Sequence, residues 1–468
     1  MSAFEHDERD PYANNGESNA MPQASRPGKR VFIETYGCQM NMADSELMGG
    51  ILLNQGYTAA ANLEESDIIL INTCAVREKA EERVFGRLSH LLRYKNENPN
   101  VILGVAGCMA NHLKKEITER APYVDIVVGP DAYRRLPEML VQAQEEEVDP
   151  LIDVRLDKAE TYEGLVPVRS EGITAWISVQ RGCDKCCTFC VVPFTRGRER
   201  GVAPSDVLSQ VRNVAELGYK EITLLGQTVN SYRVGDYDFS DLLEDVVKVD
   251  GIERVRFTSP YPTDFNDKLL ETMARHKKIS KYLHLPAQSG STSMLERMKR
   301  RYTREEFDAL VANIRSYMPD IAMSTDIIVG FCSETDEEFE ATLDLMRQVR
   351  FDFAYMFQYS ERSLTAAARN MPDDVPMEVK GERLKRLIEL QESISAEVFQ
   401  TRISTTQDVM VIGESRRNPD DLCGRTDDFK MAVFAKPSFE LKPGDIVPVH
   451  IHDATSHTLI GRVPEGIS

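Results

Sequence analysis

Residues 176–190 read WISVQRGCDKCCTFC, a short strand pattern that runs directly into four cysteines within eight residues. Thiolates at such spacing are typical ligands of iron or zinc. A zinc ribbon would use Cys183 and Cys186, but no second CxxC or histidine pair follows at zinc-site spacing. Cys183, Cys187 and Cys190 form CxxxCxxC, and three thiolates leave one iron of a [4Fe–4S] cluster open to an outside ligand. The segment therefore favours an iron–sulfur cluster, with Cys186 as an extra thiol of no assigned role.

The chain around this segment alternates strand and helix patterns. Six such units predict a partial (β/α)6 barrel of the TIM type, in which the cysteine loop follows the first strand, where a barrel's active-site loops lie. Predicted helices include Pro204–Leu217 and Arg304–Tyr317. The predicted strands are Trp176–Gln180, Glu221–Leu225, Val255–Thr258, Tyr282–Leu285, Ile327–Val329 and Phe353–Gln358.

The chain before the barrel also alternates, with strands that are continuous apolar runs. Such strands predict a parallel sheet covered by helices on both faces. Asp44 is expected to cap a helix that begins at Ser45, and the acidic stretch Gln142 to Glu147 is expected to end this domain. The predicted strands are Val31–Tyr36, Asp67–Ile71, Val101–Val105 and Val124–Val128; the predicted helices are Ser45–Asn54, Arg77–Tyr94 and Leu113–Arg120.

The C-terminal part has a different texture. A long helix, Val379–Arg402, is followed by short strands and turns that predict a small β-barrel of the oligonucleotide-binding type. Its predicted strands are Asp408–Ile412, Lys430–Phe434 and Ile446–His452.

Three further cysteines each follow a predicted strand of the first domain: Cys38, Cys74 and Cys108. They would meet at the carboxyl edge of one parallel sheet, where open α/β sheets bind ligands. Glycines precede Cys38 and Cys108, which allows close approach of the backbone. Three readings stay open: half-buried structural cysteines, a zinc site completed by His112, or a second three-cysteine iron–sulfur cluster.

Composition sets limits on the class of protein. The 468 residues carry a formal net charge of −19, which argues against general affinity for nucleic acid. No apolar run approaches the ~20 residues that span a bilayer, and the polar N-terminus predicts no secretory signal. Nine cysteines are too few for a disulfide scaffold, and we expect a cytoplasmic protein that does not contact a membrane. Residues 1–28 are expected to form a disordered tail.

CxxxCxxC with an aromatic residue before the last cysteine, after the first strand of such a barrel, resembles the radical S-adenosylmethionine superfamily. Several local sequences resemble, more narrowly, the radical-SAM methylthiotransferases, and most of all their tRNA-modifying branch. The resemblance covers roughly residues 30 to 465, and QMN after Cys38 separates this branch from the ribosomal-protein branch, which has PKN there. The matching sequences are ETYGCQMN (34–41), NTCAVREKA (72–80), GCMA (107–110), VVPFTRGRE (191–199), GQTVNSY (226–232) and HLPAQSGS (284–291).

This resemblance implies the domains and their cofactors. Residues 29–147 would be the methylthiotransferase N-terminal domain, 169–399 the radical-SAM core and 400–466 an RNA-binding TRAM domain. Cys183, Cys187 and Cys190 would hold a [4Fe–4S] cluster that binds and cleaves S-adenosyl-L-methionine. Cys38, Cys74 and Cys108 would hold an auxiliary [4Fe–4S] cluster that carries the sulfur. Gly226 and Gln227 are candidates for contacts to the amino group of S-adenosylmethionine.

The same resemblance implies a reaction on tRNA. N6-(dimethylallyl)adenosine, immediately 3′ of the anticodon, would become its 2-methylthio derivative at the cost of two S-adenosylmethionine molecules. An alternative substrate within the family is threonylcarbamoyladenosine or a ribosomal-protein aspartate. The implied partners are the anticodon stem-loop of tRNA and an electron donor such as flavodoxin or ferredoxin, and the protein is expected to be a monomer. A non-catalytic iron–sulfur regulator is disfavoured, because open coordination marks catalysis.

Two basic segments are candidates for phosphate contacts, and one segment departs from the family pattern. The candidates are RMKRRYTR (297–304) and the arginines at 196, 198 and 200, which predict modest, salt-sensitive tRNA binding. FCSET (331–335) stands where the family usually has FPGET, and the expected Pro and Gly near residues 359–365 are absent. Cys332 and Cys423 are interpreted as bystander thiols.

Overall fold

The computed structural model describes residues 28–75, 78–144, 149–169 and 172–464. The predicted N-terminal tail therefore lies outside the described residues except for Gly28, as do Arg77 at the start of a predicted helix and residues 145–147 of the predicted acidic stretch. The described chain forms two compact units. The first takes the chain up to residue 169 with Gln180–Asp184 and Cys190–Val202, and the second takes Gly172–Val179, Lys185–Phe189 and the chain from Ala203 onward.

The elements follow one another in a regular order. The strands are β1 Arg30–Thr35, β2 Thr58–Ala59, β3 Ile68–Thr73, β4 Ile102–Gly107, β5 Ile126–Val128, β6 Leu151–Asp153, β7 Thr174–Ser178, β8 Gln180–Arg181, β9 Arg200–Gly201, β10 Glu221–Leu225, β11 Arg233–Val234, β12 Tyr237–Asp238, β13 Arg254–Phe257, β14 Tyr282–His284, β15 Ala322–Val329, β16 Phe353–Gln358, β17 Thr406–Glu414, β18 Asp421–Thr426, β19 Met431–Ala435, β20 Ile446–Ala454 and β21 Thr458–Arg462. The α-helices are α1 Gln39–Asn54, α2 Glu78–Glu97, α3 Cys108–Leu113, α4 Glu116–Arg120, α5 Leu136–Gln142, α6 Val192–Thr195, α7 Pro204–Glu216, α8 Phe239–Val246, α9 Asp267–Arg275, α10 Thr292–Arg297, α11 Arg304–Tyr317, α12 Asp336–Val349, α13 Ala366–Asn370 and α14 Met377–Gln400.

The first unit is built on a parallel sheet with strand order β2-β1-β3-β4-β5-β6. Its strands are buried on both faces, because successive side chains point to opposite faces and both are apolar. In β3, Ile68 and Leu70 pack into one core cluster, and Ile69 and Ile71 pack into the other. The two short edge strands, β2 and β6, were not expected from the sequence.

Two helices of this unit differ from prediction. The predicted helix Leu113–Arg120 is wrong as a single element: the chain forms α3 and α4, which are separated at Lys114, a residue with φ of 52°. The predicted start of α1 at Ser45 is also wrong. The helix begins at Gln39, and Asp44 lies inside it rather than at its cap.

The second unit contains the predicted partial barrel. Strands β13, β10 and β7 form one parallel sheet and β14, β15 and β16 another, and a parallel bridge joins Val255 of β13 to Ile279, three residues before β14. Six parallel strands thus follow in chain order, with helices between them, as expected. The observed β10, β16 and α11 have the predicted bounds.

The C-terminal part of this unit is a closed five-stranded barrel with strand order β17-β18-β19-β21-β20. The sequence predicted β17, β19 and β20 within a few residues and missed β18 and β21. Its core contains Val409, Phe434 and Val449.

The turn between β18 and β19 packs against the first residues of the partial barrel's strands. The Phe429 ring stacks on Tyr282 with centroids 4.5 Å apart. Lys430, whose side chain is fully buried, pairs with Asp352 and with Asp428. Glu221 at the start of β10 pairs with Arg256 at 2.8 Å.

Among the described residues, no helix has the length and the apolar run that a membrane crossing requires.

Candidate functional site

Three cysteines stand at the carboxyl ends of neighbouring strands in the first unit. Cys38 follows β1 by three residues, Cys74 directly follows β3, and Cys108 is the first residue of α3, directly after β4. Since β1, β3 and β4 are adjacent and parallel, the sheet brings the three thiols together at one edge, as expected. Cys38 is exposed, Cys74 is half-buried and Cys108 is buried.

Glycine is required beside two of these cysteines. Gly37 has φ of +125°, and a Cβ there would lie 2.7 Å from the Cβ of Cys74. Gly107 has φ of +91°, and a Cβ there would lie 2.3 Å from Asn72 Oδ1. Both positions therefore need a residue without a side chain, for conformation and for space.

The three thiols interact with one another. Cys74 hydrogen-bonds with both Cys38 and Cys108, and Cys38 Sγ also donates to Asn41 Oδ1 at 3.3 Å. The hydrogen bond with Cys74 lowers the pKa of Cys38 to about 6, and the cation of Arg196 assists against the cost of burial. The same causes lower the pKa of Cys108 to about 7, whereas the pKa of Cys74 is raised by its two cysteine partners. Thiolates are the metal-binding form of cysteine, so this donor set suits a cluster.

A buried ionic network lies against this edge. Arg196 donates from Nε to Cys108 Sγ at 3.1 Å and from Nη2 to Asp44 Oδ2 at 2.8 Å. Arg181 donates to the other oxygen of Asp44 at 2.7 Å. Arg200 pairs with Asp131 at 2.9 Å. Asp44 is therefore not a helix cap, because its two oxygens are occupied by arginines from elsewhere in the unit.

Residues 181–190 hold the second set of cysteines in a loop without regular structure after Arg181. Gly182 has φ of +76°, and a Cβ there would lie 2.0 Å from the carbonyl oxygen of Arg198, so this position also requires glycine. In the first unit, the Cys183 amide donates to the Gly197 carbonyl at 3.1 Å. In the second unit, the Thr188 amide donates to the Met298 carbonyl at 3.0 Å, and Phe189 packs edge-on against Phe331.

Arg300 contacts a cysteine of this loop within the second unit. Its Nη1 donates to Cys187 Sγ at 3.4 Å, and its Nη2 donates to the Pro286 carbonyl at 3.0 Å. The guanidinium also lies over the rings of Tyr261 and Tyr302, at 4.5 Å and 5.2 Å from their centroids. In each predicted cysteine triad, an arginine of the described residues thus donates to a sulfur.

The two basic segments are only partly available to a polyanion. Arg196 and Arg200 are buried in the ionic network, so the expectation that they contact phosphates is wrong; Arg198 is exposed. In the segment 297–304, Arg297 pairs with Glu338 and Arg304 pairs with Asp308. The exposed cations of that segment are Lys299 and Arg301.

Gly226 and Gln227 follow the end of β10, as expected from the sequence. The side-chain oxygen of Gln227 is buried and accepts no hydrogen bond from the described residues. A buried acceptor without a donor is uncommon in a folded protein, and a bound amino group would satisfy it.

His112 and the remaining cysteines have other surroundings or no assigned role. His112 Nδ1 hydrogen-bonds with Glu81 at 2.8 Å. Among the described residues, no group of His, Cys, Asp or Glu side chains is arranged to hold a single metal ion. This does not bear on a cubane cluster, because each of its thiolates binds a different iron. Cys332 is buried in an apolar cluster, Cys423 is half-buried, and Cys186 is exposed with φ of +54°.

The departure from the family pattern at residues 331–335 has a local explanation. Ser333 has φ of +57°, the left-handed region that favours glycine, and it stands where the family has glycine. Its amide and hydroxyl both donate to the Asp374 carboxylate, at 2.7 Å and 2.8 Å. These two bonds hold a conformation that glycine adopts without help.

The sequence reasoning missed the charged groups that contact the cysteines or pair with those that do. The sequence analysis gave Asp44 the role of a helix cap, left Arg181 unassigned, and predicted phosphate contacts for Arg196 and for the segment that contains Arg300. One signal was available: α1 has acidic residues but no lysine or arginine, although it is buried along most of its length. Buried carboxylates must be paired, so partners outside the helix were to be expected.

Family models match this chain in three places. They are Uncharacterized protein family UPF0004 over residues 30–129, the Radical SAM superfamily over residues 177–346 and the TRAM domain over residues 400–463. These ranges fall within the predicted domains, whose boundaries stay a prediction.

Curated proteins are similar over nearly the whole chain. A tRNA-2-methylthio-N(6)-dimethylallyladenosine synthase of Geobacillus kaustophilus is 46% identical over 93% of this chain and 82% of its own length. A protein of the same name from Chloroherpeton thalassium is 44% identical, over 92% of this chain and 96% of its own.

Solved structures with a similar fold are distant in sequence. The radical S-adenosylmethionine methyltransferase TsrM from Kitasatospora setae is 12% identical with a TM-score of 0.54, covering 73% of this chain and 77% of its own. The cobalamin-dependent S-adenosylmethionine radical enzyme OxsB is 13% identical with a TM-score of 0.50, covering 78% of this chain and 57% of its own. At these identities the likeness concerns the fold alone.

Proposed function

Because this chain belongs to the radical-SAM methylthiotransferase family, we propose that it converts N6-(dimethylallyl)adenosine in tRNA, immediately 3′ of the anticodon, into its 2-methylthio derivative. The observation that carries this function is the meeting of Cys38, Cys74 and Cys108 at one sheet edge, in addition to the CxxxCxxC loop. A radical-SAM enzyme needs one cysteine triad, and sulfur insertion gives the second triad a purpose.

The cysteines fit two [4Fe–4S] clusters. Cys183, Cys187 and Cys190 would hold the cluster that takes S-adenosylmethionine at its open iron. Cys38, Cys74 and Cys108 would hold the auxiliary cluster, and the low pKa values of two of them favour ligation near neutral pH.

When bound, these cofactors supply one-electron chemistry and the sulfur to be inserted, which acid–base catalysis cannot do at C2 because its hydrogen is not acidic. The chain's own residues hold and orient these groups and exclude water from the site. Gly37 and Gly107 let the strand ends approach closely enough for the thiols to meet. Gly226 and Gln227 would contact the amino group of S-adenosylmethionine, which is supported by the buried Gln227 oxygen that accepts no hydrogen bond within the described part of the chain.

The partners follow from this reaction. The anticodon stem-loop of tRNA is the substrate, and exposed Lys299 and Arg301 are candidates for its phosphates. A low-potential donor such as flavodoxin or ferredoxin would supply electrons. We expect the enzyme to act as a monomer in the cytoplasm, where tRNA is modified.

The test is turnover by the anaerobically reconstituted full chain. It is incubated with S-adenosylmethionine, dithionite and tRNA that carries N6-(dimethylallyl)adenosine, and nucleosides are measured by mass spectrometry. We expect one methylthio group per modified adenosine, and loss of product in Cys187→Ala. Cys186→Ala is the matched control, because it removes the adjacent thiol that the CxxxCxxC spacing leaves out, and it should retain activity.

Two results would contradict the proposal. Turnover on threonylcarbamoyladenosine tRNA or on a ribosomal protein, with none on the dimethylallyl substrate, would move the enzyme to another branch of the family. An iron content of about four per chain, falling to none in a Cys183/Cys187/Cys190→Ala variant, would leave the N-terminal triad without a cluster. Two three-thiolate clusters instead predict about eight irons falling to about four.

A further inference from the structure

Among the described residues, Arg196 is a charged side chain that donates a hydrogen bond directly to a thiol of the N-terminal cysteine triad. Its side chain is 4% exposed, and it donates from Nε to the sulfur of Cys108 and from Nη2 to Asp44. Its third nitrogen, Nη1, is buried and has no hydrogen-bond partner among the described residues. The guanidinium therefore holds a ligand sulfur on one side and has unused N–H groups within the same buried region.

The surrounding network carries an excess of positive charge. Arg181, Arg196 and Arg200 supply three guanidinium groups, and the facing carboxylates are Asp44 and Asp131. All five side chains are at most 6% exposed, so water does little to screen them. Asp157 also acts on Arg200, but Arg181 and Arg196 share the single carboxylate of Asp44, so one positive charge is left over beside the sulfur of Cys108.

Hydrogen bonds to ligand sulfurs and net local charge are two of the factors that set the reduction potential of an iron–sulfur cluster. One-electron reduction adds one negative charge to the cluster and its thiolates. A buried cation that donates to one of those sulfurs stabilises the reduced form more than the oxidised form, because the charge it faces is larger.

We propose that Arg196 raises the reduction potential of the auxiliary cluster through the Cys108 sulfur, and that Asp44 limits this effect by neutralising part of the arginine's charge. The inference rests on the proposed function, which assigns Cys38, Cys74 and Cys108 to that cluster. Arg196 is then a positioning and tuning residue rather than a phosphate contact. An arginine suits the role because its fork can bond a thiolate and a carboxylate at the same time, which a lysine cannot do in the same geometry.

The competing explanation is that Arg196 and Asp44 form a purely structural ion pair. The sign of the change in reduction potential on substitution distinguishes this explanation from the proposal. Removing Arg196 takes away the cation and the sulfur's donor, so the potential should fall. Neutralising Asp44 leaves the cation uncompensated, so the potential should rise. Both changes break the same buried pair and both should destabilise the fold, so a structural role alone gives no reason for opposite shifts.

The experiment is a redox titration of the full chain in a Cys183/Cys187/Cys190→Ala background, followed by electron paramagnetic resonance, with dithionite as the electron source. Arg196→Met should change the equilibrium constant for one-electron reduction at least tenfold, a fall of 59 mV or more. Asp44→Asn should raise the reduction potential. The potential of Arg196→Lys, which keeps the charge, should lie between those of wild type and Arg196→Met.

Arg200→Met is the matched control, because Arg200 is nearly as buried as Arg196 and pairs with a carboxylate but bonds to no sulfur among the described residues. Its shift should be less than half that of Arg196→Met. Equal midpoints for Arg196→Met and wild type, or shifts of the same sign for Arg196→Met and Asp44→Asn, would overturn the proposal. If Arg196→Met loses its iron, Arg196→Lys and Asp44→Asn carry the same test. No iron in the background variant itself would instead refute the proposed function.

Discussion

Substitution of Gly37 by alanine should empty the auxiliary site. Gly37 connects β1 to Cys38 with φ of +125°, and an added Cβ would lie 2.7 Å from the Cβ of Cys74 and 3.1 Å from Asn41 Oδ1. Both contacts are shorter than ordinary packing allows, and the first is to an atom next to the backbone. Cys74 must therefore move away from Cys38, which separates two of the three thiols.

The size of the effect follows from two contributions. A non-glycine residue in this region of φ costs on the order of 1–3 kcal/mol. Overlap in a packed site adds roughly 1–3 kcal/mol. Gly56→Ala is the matched control: Gly56 lies just beyond the other end of α1 with φ of +85°, and a Cβ there would meet nothing within 4 Å. It carries the strain without the overlap.

Iron per chain after anaerobic reconstitution measures the site, and urea unfolding of the apo-protein measures stability. We expect about four irons in Gly37→Ala and about eight in both wild type and Gly56→Ala. Gly37→Ala should also lose more unfolding free energy than Gly56→Ala. If Gly37→Ala binds as much iron as Gly56→Ala and is equally stable, the close approach of Gly37 to Cys74 does not organise the site.

Other predictions address the second unit. Lys430→Met should cost about 3–5 kcal/mol of unfolding free energy, measured by urea titration, because it leaves Asp352 without its buried cation; an unchanged midpoint would exclude that pairing. Burial by itself raises the pKa of Glu221, but its arginine partners outweigh this and hold the pKa below the usual value. Its contribution to stability is therefore present above the unfolded pKa and is lost as pH falls through the folded pKa, so Glu221→Gln should flatten the acid limb of a stability–pH profile; an unchanged acid limb would contradict this. Charge reversal at both Lys299 and Arg301 should weaken tRNA binding and lower its salt dependence by about one unit of log–log slope per lost phosphate contact; a loss of affinity with the slope unchanged would argue against phosphate contacts.

Local patterns determined most of the fold. β10, β16 and α11 were predicted with their observed bounds. Burial of one or both faces of an element spaces its apolar residues regularly, and this spacing is visible within a few neighbouring residues. The parallel sheet was predicted for the same reason. β18 and β21 were missed because their short sequences show little regular spacing of apolar residues. They pair as strands because the small barrel closes.

The placement of the cysteines was also within reach of the sequence. Each of Cys38, Cys74 and Cys108 follows a predicted strand, and parallel strands end at the same edge. That these residues ligate a cluster remains a prediction, supported by the contacts among their thiols.

The electrostatic surroundings of the cysteines were decided only by the tertiary structure. Asp44 has a residue type that often caps helices, and the sequence pattern predicted a cap there. It lies instead inside α1 and pairs with Arg196, which is 152 residues away in sequence. Arg196 lies in a basic run that predicts phosphate contacts, yet it bonds to Cys108 across 88 residues. Helical and strand periods describe neighbours within a few residues, whereas the partner of a buried charge is chosen by how distant segments pack. The sequence therefore determined which residues could bind metal, and the fold determined which charges face them.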